Sequence, residues 1–224
     1  MRPLVILRPE PGASATAGTA REIGLAPLVM PLFRIESIGW QAPGDGAFDA
    51  LLLTSANAVR AGGNGLAGLM HLPAYCVGET TAAAARTAGF AVEGVGSGGI
   101  DELLASLPAS LRLLHLCGAD RRPPAKAPQS ISAVPVYRAT ELPDPKGLDR
   151  IDGAVVVVHS PRAAARLRTL ADLRSIERNR TAIAAISEPA AAALGSGWEQ
   201  VEVAASPTDA ALLSLAARLC NNRR

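Results

Sequence analysis

The sequence repeats itself, and the repeat constrains the fold more tightly than any other feature. Ala50-Leu51-Leu52-Leu53-Thr54-Ser55-Ala56-Asn57-Ala58 is echoed by Val155-Val156-Val157-Val158-His159-Ser160-Pro161-Arg162-Ala163, each a buried strand that delivers a serine to the mouth of a helix. Val77-Gly78-Glu79-Thr80-Thr81-Ala82, leading to Gly89-Phe90, is matched by Ile186-Ser187-Glu188-Pro189-Ala190-Ala191, leading to Gly197-Trp198. Both read as strand, tight turn, Ala-rich helix and glycine stop. Val92-Glu93 with Ser97 and Asp101-Glu102-Leu103-Leu104 has its counterpart in Val201-Glu202 with Ser206 and Ala210-Ala211-Leu212-Leu213. Leu4-Val5-Ile6-Leu7 resembles Leu113-Leu114-His115-Leu116, and Pro31-Leu32-Phe33-Arg34 resembles Pro135-Val136-Tyr137-Arg138. Residues 4–107 and 113–215 are thus two copies of one α/β unit.

Short apolar strands alternating with Ala-rich helices predict an α/β fold of two doubly wound domains, each a parallel sheet covered by helices on both faces. A chain of 224 residues is comfortable for two such domains. With two Trp, two Tyr and three Phe, their cores must be aliphatic. Ligands of such sheets sit beyond the C-terminal strand ends, where loops and helix N-termini converge. Here those loops carry Ser55, Thr80, Thr81, Ser160 and Ser187. Two domains facing each other would form a cleft lined by backbone N–H groups and hydroxyls. Residues 29–36 and 134–141, extended and proline-bearing, read as the crossings between domains, and the turns at 41–46 and 142–147 suit a hinge.

A formal charge of +2 with scattered basic residues does not describe a nucleic-acid binder. Lys126 and Lys146 are the only lysines among 22 basic residues, so the positive surface is almost wholly guanidinium, suited to carboxylates and phosphates. Cys76, Cys117 and Cys220 show neither CxxC spacing nor an even count, which fits a reducing cytosol and no zinc site. No apolar run approaches the length of a membrane span or a signal peptide. No GxGxxG, no GxxxxGK[ST] and no GxSxG elbow is present, and His71, His115 and His159 lack metal-ligand spacing, each reading as a solvent-facing or strand-end histidine. What remains is anion stabilisation by hydroxyls, amides and arginines, with no nucleophile.

The run Leu53-Thr54-Ser55-Ala56-Asn57-Ala58-Val59, the VGxxTA pattern at 77–82, the VYR segment at 136–138, the SPRA segment at 160–163 and the late Pro207-Thr208 are together similar to uroporphyrinogen-III synthases. No single motif is specific, but their order and spacing span essentially the whole chain. The resemblance implies two flavodoxin-like α/β domains joined by a two-stranded linker ladder. Residues 1–35 with 141–224 would form the first domain, and 36–140 a second one inserted into it. It implies that no metal or organic cofactor is needed; a monomer is expected because no long apolar stripe is left over for an interface, and a cytoplasmic one from the cysteines and the short N-terminal apolar segment. Its substrate would be hydroxymethylbilane, cyclised with loss of water and inversion of ring D, with transient contact to hydroxymethylbilane synthase as a further expectation. Many weak anchors at helix N-termini and loops would let a nearly neutral protein bind an octacarboxylate.

Carried onto this sequence, the resemblance makes Tyr137 the candidate catalytic residue, a phenol able to protonate the departing hydroxyl; the alternative is a tyrosine packed across the ladder, as Phe33 is in the other copy. Thr81 and, more weakly, Thr80 are candidates for binding a substrate carboxylate, with helix capping as the competing role. Ser55, Asn57 and Ser160 face the same choice. Arg8, Arg138 and Arg162, together with Arg34, are placed to meet carboxylates; Arg121, Arg122 and Lys126 lie in a Pro-rich loop and are given no role. Two departures stand out: Ser187-Glu188-Pro189-Ala190 replaces the family's Gly-Pro-x-Thr turn, and residues 119–130 are too short and Pro-rich for the expected helix. Two other readings remain: a non-catalytic two-lobed clamp for an anionic small molecule, and a flavodoxin-like redox protein, which would carry flavin.

Overall fold

The structure is a computed structural model that describes residues 1–44, 46–121 and 123–222; Asp45 and Arg122 of the two loops above lie outside the described residues. In chain order the elements are β1 (Leu4–Ile6), α1 (Gly12–Glu22), β2 (Pro27–Val29), β3 (Phe33–Ser37), β4 (Ala50–Leu53), α2 (Ala56–Ala61), β5 (Ala74–Val77), α3 (Glu79–Thr87), β6 (Val92–Gly96), α4 (Ile100–Ala105), β7 (Arg112–Gly118), β8 (Ser130–Glu141), β9 (Val155–Val158), α5 (Pro161–Leu173), β10 (Ala182–Ala185), α6 (Glu188–Ala192), β11 (Gln200–Val203) and α7 (Asp209–Asn221). The chain divides into two compact units, Met1–Arg34 with Glu141–Arg224, and Ile35–Thr140.

The first unit holds a parallel sheet of order β11-β10-β9-β1-β2. Leu4, Ile6, Val155 and Val157 on one face pack against Ala13, Ala17 and Ala20 of α1 and Leu212, Leu213, Ala216 and Leu219 of α7. The small side chains of α1 let its axis approach the sheet closely, as an aromatic-poor composition demands. On the alternate side, Val5, Val156, Val158 and Ile183 are equally buried, and α5 packs on β9 through Ala163, Ala164 and Leu167. Burial on both faces is why these strands read as unbroken apolar runs.

The second unit has the order β3-β8-β7-β4-β5-β6, parallel from β8 to β6. Leu51, Leu53, Leu114 and Leu116 pack under α2 and α3 on one face, and Ala50, Leu52 and Leu113 under Leu103 and Leu104 of α4 on the other. Each unit joins the first strand of one sequence copy to the last three strands of the other: β1 joins β9, β10 and β11, while β7 joins β4, β5 and β6. The repeat and the compact unit are therefore different objects.

Between β7 and β8 no helix forms among the described residues, and the connection is held to the α4 region by side-chain hydrogen bonds instead. Asp101 accepts from the backbone N–H of Ala125 at 2.8 Å, and the Gln129 amide donates to the carbonyls of Leu104 (2.8 Å), Leu107 (3.0 Å) and Pro108 (3.4 Å). Where the second unit is entered and left, Glu36 of β3 accepts from Thr140 of β8 at 2.7 Å and pairs with Arg138 at 3.3 Å.

Candidate functional site

In each sheet the order reverses at one point, between β1 and β9 in the first unit and between β7 and β4 in the second, leaving a crevice outside the carboxyl ends of the strands. Sequence-selected residues gather at both.

In the second unit the crevice is framed by Gly118 at the end of β7, Ser55 after β4 and Tyr137 near the end of β8. A bulge between Cys117 and Gly118 shifts the register so that Gly118 faces Tyr137, and the Ala119 N–H donates to the Tyr137 carbonyl at 2.8 Å. The Tyr137 ring lies directly over Gly118: a Cβ there would sit 2.9 Å from Cζ and 3.0 Å from both Cε2 and Oη. The Ser55 hydroxyl lies close enough to the Tyr137 phenol to act on its titration. Burial pushes the phenol above its ordinary pKa, the Ser55 hydroxyl opposes that rise, and nearby Cys117 and Asp120 add to it. The phenol is thus fully protonated at neutral pH. Ser55 also caps α2, its oxygen accepting from the Asn57 N–H at 3.2 Å.

Next along the edge, β5 turns into α3 through Gly78, whose φ of +80° suits glycine alone. Gly78 is the N-cap residue and no side chain caps this helix, so capping does not occupy Thr80 or Thr81; Thr81 is buried and Thr80 exposed. Behind the crevice His115 of β7 is buried, its Nε2 3.0 Å from the Thr54 hydroxyl, and desolvation lowers its pKa to about 4. Far from being solvent-facing, it is a neutral wedge that fixes the residue preceding Ser55.

In the first unit the crevice is framed by Arg8 after β1 and His159-Ser160 after β9. Ser160 caps α5, accepting from the Ala163 N–H at 3.1 Å. Arg8 Nη1 donates to both Asp209 oxygens at 3.0 Å and to the Thr16 hydroxyl at 3.2 Å, and that hydroxyl donates to Asp209 at 2.6 Å. His159 Nε2 lies 3.1 Å from Asp209, while its buried Nδ1 has no partner among the described residues. Burial first, and Arg8 second, lower the His159 pKa against the pull of Asp209; neutral His159 donates from Nε2. The Asp209 carboxyl is brought to about 2 because its bonds to His159 and Thr16, with the nearby charges, outweigh its desolvation.

Asp209 and Thr16 carry no motif, and their place in this cluster was not read from sequence. The single available signal was an acidic residue in the first turn of a helix entered through Pro207-Thr208, which says nothing of a partner 201 positions away. The remaining arginines diverge. Arg138 is exposed and paired with Glu36, and Arg162 stacks its guanidinium 4.7 Å above the Phe33 ring. A hollow of about 320 Å³ beyond β2, lined by Val29, Met30, Pro31 and residues 142–146, contains none of the selected residues. Among the described residues no group of His, Cys, Asp and Glu has the makings of a metal site, and no helix is long and apolar enough to cross a membrane. Chemically, the second unit offers one protonated phenol backed by a hydroxyl, and the first a partly paired guanidinium.

The family model described as uroporphyrinogen-III synthase HemD matches residues 14–214. Among solved structures, the chain is similar to a uroporphyrinogen-III synthetase from Helicobacter pylori 26695, with 19% identity, 98% of this chain and 100% of that one covered, and a TM-score of 0.64. It is also similar to a mutant uroporphyrinogen III synthase from the extremely thermophilic bacterium Thermus thermophilus, with 19% identity, the same coverage and a TM-score of 0.55. At such identity these likenesses speak to the fold. A comparison with curated proteins yields no match.

Proposed function

The chain belongs to the uroporphyrinogen-III synthase family, and on that premise we propose that its chemistry takes place at the crevice where Tyr137 meets Gly118 and Ser55. The family reaction cyclises hydroxymethylbilane with loss of water and inversion of ring D, so the chain is a lyase of porphyrin biosynthesis. The observation that carries the site is the protonated phenol held over Gly118 near the Ser55 hydroxyl.

The substrate hydroxyl departs as water once a proton reaches it while the C–O bond breaks. Tyr137 supplies that proton, and the Ser55 hydroxyl stabilises the phenolate left behind. A phenol is a weak acid, but the pyrrole nitrogen feeds electrons into the developing cation, so little acid strength is required. The same phenolate recovers the proton released when the ring regains aromaticity, and the site returns to its starting state. Unassisted closure joins the ends without inversion. The protein's larger task is therefore geometric: holding the chain of pyrroles so that the terminal ring is attacked at its substituted carbon. Thr80, Thr81, Asn57 and Ser160, with the N-termini of α3 and α5, anchor carboxylates by short polar contacts, and Arg8, Arg138 and Arg162 add charge-assisted ones. We further propose a cytoplasmic monomer that takes its short-lived substrate from hydroxymethylbilane synthase in transient contact. Three buried free cysteines support a reducing compartment.

The test feeds hydroxymethylbilane from a separate deaminase to the purified protein and resolves the oxidised products by chromatography. Type III isomer should dominate, and Tyr137→Phe should lower kcat by about 100-fold. Type I alone beside an active control synthase would remove catalysis and leave a binding clamp; an unimpaired Tyr137→Phe would remove the phenol from the mechanism.

A further inference from the structure

Arginines in this fold differ in how much of the guanidinium they engage. Arg112 donates from Nε, Nη1 and Nη2 to Asp49 and the Gly46 carbonyl, and Arg2 donates from Nε and Nη2 to three backbone carbonyls and Glu199. Arg8 engages one nitrogen. All three of its hydrogen bonds leave from Nη1, and Nε and Nη2 bond to no described residue although about a third of the side chain, 32%, is exposed. That half-used fork lies across the first residue of α1: a Cβ on Gly12 would sit 2.7 Å from Nε, 2.9 Å from Cζ and 3.0 Å from Nη2.

The setting is unfavourable to a cation. The guanidinium lies beside the N-terminal residue of α1, and its partner Asp209 is the first residue of α7, so two positive helix ends converge here. Asp209 offsets one unit of charge. Glu10, two positions along the chain from Arg8, is engaged by the Ser14 N–H and hydroxyl at 3.0 and 2.9 Å. His159, 8% exposed, orients Asp209 from Nε2 while its Nδ1 stays buried without a partner among the described residues, an arrangement that stability alone disfavours.

We propose that Gly12, Thr16 and Asp209 are positioning residues that hold Arg8 by Nη1 and present its Nε–Nη2 edge to one substrate carboxylate at the crevice between β1 and β9. This rests on Arg8 touching substrate, and it adds what makes the contact specific. A planar fork clamped on one side receives the two oxygens of a carboxylate in parallel, an arrangement an ammonium group cannot reproduce. Gly12 takes part by having no side chain, and Thr16 by fixing the plane of the Asp209 carboxylate.

Two readouts on the full chain test this: KM and kcat for hydroxymethylbilane, and equilibrium binding of uroporphyrin III as a stable octacarboxylate probe. Arg8→Ala, Arg8→Lys and Gly12→Ala should each raise KM and weaken probe binding about tenfold with kcat within about twofold. Gly12→Ala added to Arg8→Ala should do nothing more. Thr16→Val is the second positioning variant and should show the same dependence on Arg8. A merely structural role for Gly12 or Thr16 would lower stability in both backgrounds alike. An unchanged KM in Arg8→Ala would overturn the contact itself. A raised KM in Arg8→Ala beside an unchanged one in Gly12→Ala and Thr16→Val would overturn the positioning alone.

Discussion

Gly118→Ala offers the sharpest probe of the phenol's placement, because it leaves in the protein every side-chain atom that the proposed mechanism uses. The new methyl would lie 2.9–3.0 Å from three atoms of the Tyr137 ring, whereas unstrained carbon contacts lie at about 3.5–4.0 Å. Gly118 is not among the glycines with positive φ, so alanine meets no backbone penalty. Nor can the backbone of Tyr137 retreat, since its carbonyl is held by the Ala119 N–H at 2.8 Å. The ring must therefore shift by roughly 0.5–1 Å from its present place, at an overpacking cost of about 1–2 kcal/mol. A displacement of that size at a reacting group costs about 100-fold in rate. Single-turnover assays of type III formation should show kcat for Gly118→Ala close to that of Tyr137→Phe, KM little changed, and no further loss in the double variant. If Gly118→Ala kept kcat within about twofold of wild type while Tyr137→Phe lost activity, the position of the phenol would not matter and the acid role would fall with it.

Two further outcomes concern stability. Burial lowers the His115 pKa to about 4, so as pH falls below about 6.5 the unfolded chain takes up a proton that the folded one refuses. Stability is fully present above that value and declines until about pH 4, by on the order of 3 kcal/mol; urea titrations of wild type and His115→Phe across this range should differ in slope, and parallel curves would reject the assignment. Gln129→Leu leaves the carbonyls of Leu104, Leu107 and Pro108 without their shared donor and should cost about 1–3 kcal/mol in urea unfolding, an unchanged midpoint counting against it.

What was legible in the sequence is what local chemistry decides. Val155-Val156-Val157-Val158 and Ala50-Leu51-Leu52-Leu53 read as strands buried on both faces because each residue in them is apolar, and each forms one. Ser55 and Ser160, set between such a strand and a small-residue helix, occupy N-caps for the same reason. The proline-rich 119–130 stretch signalled a missing helix, but its replacement by Asp101 and Gln129 depends on α4, which no local pattern connects to it. Gly118 and Gly12 escaped notice because their importance is the absence of an atom, visible only when another side chain fills the space. His159 stands at a strand end as its place in the sequence suggests, but His115 lies buried inside β7: an imidazole can be buried neutral wherever one nitrogen finds a partner, and the partners of His115 and His159 lie 61 and 50 positions away.

The clasp that Glu36 makes with Thr140 and Arg138 bears on the order in which the chain folds. Strand β1 pairs with β9, and Arg2 reaches the Gly153 carbonyl across 151 positions, a contact that an unstructured chain closes slowly. Once residues 35–140 have folded, Glu36 and Thr140 are joined at 2.7 Å, and the loop still to be closed shrinks to about 50 flexible residues, which lowers its entropic cost by roughly 1 kcal/mol. The inserted unit acts as a staple within the other. During synthesis it completes itself first, and β1, α1 and β2 wait as an unfinished half-sheet until the C-terminal third emerges to close over them.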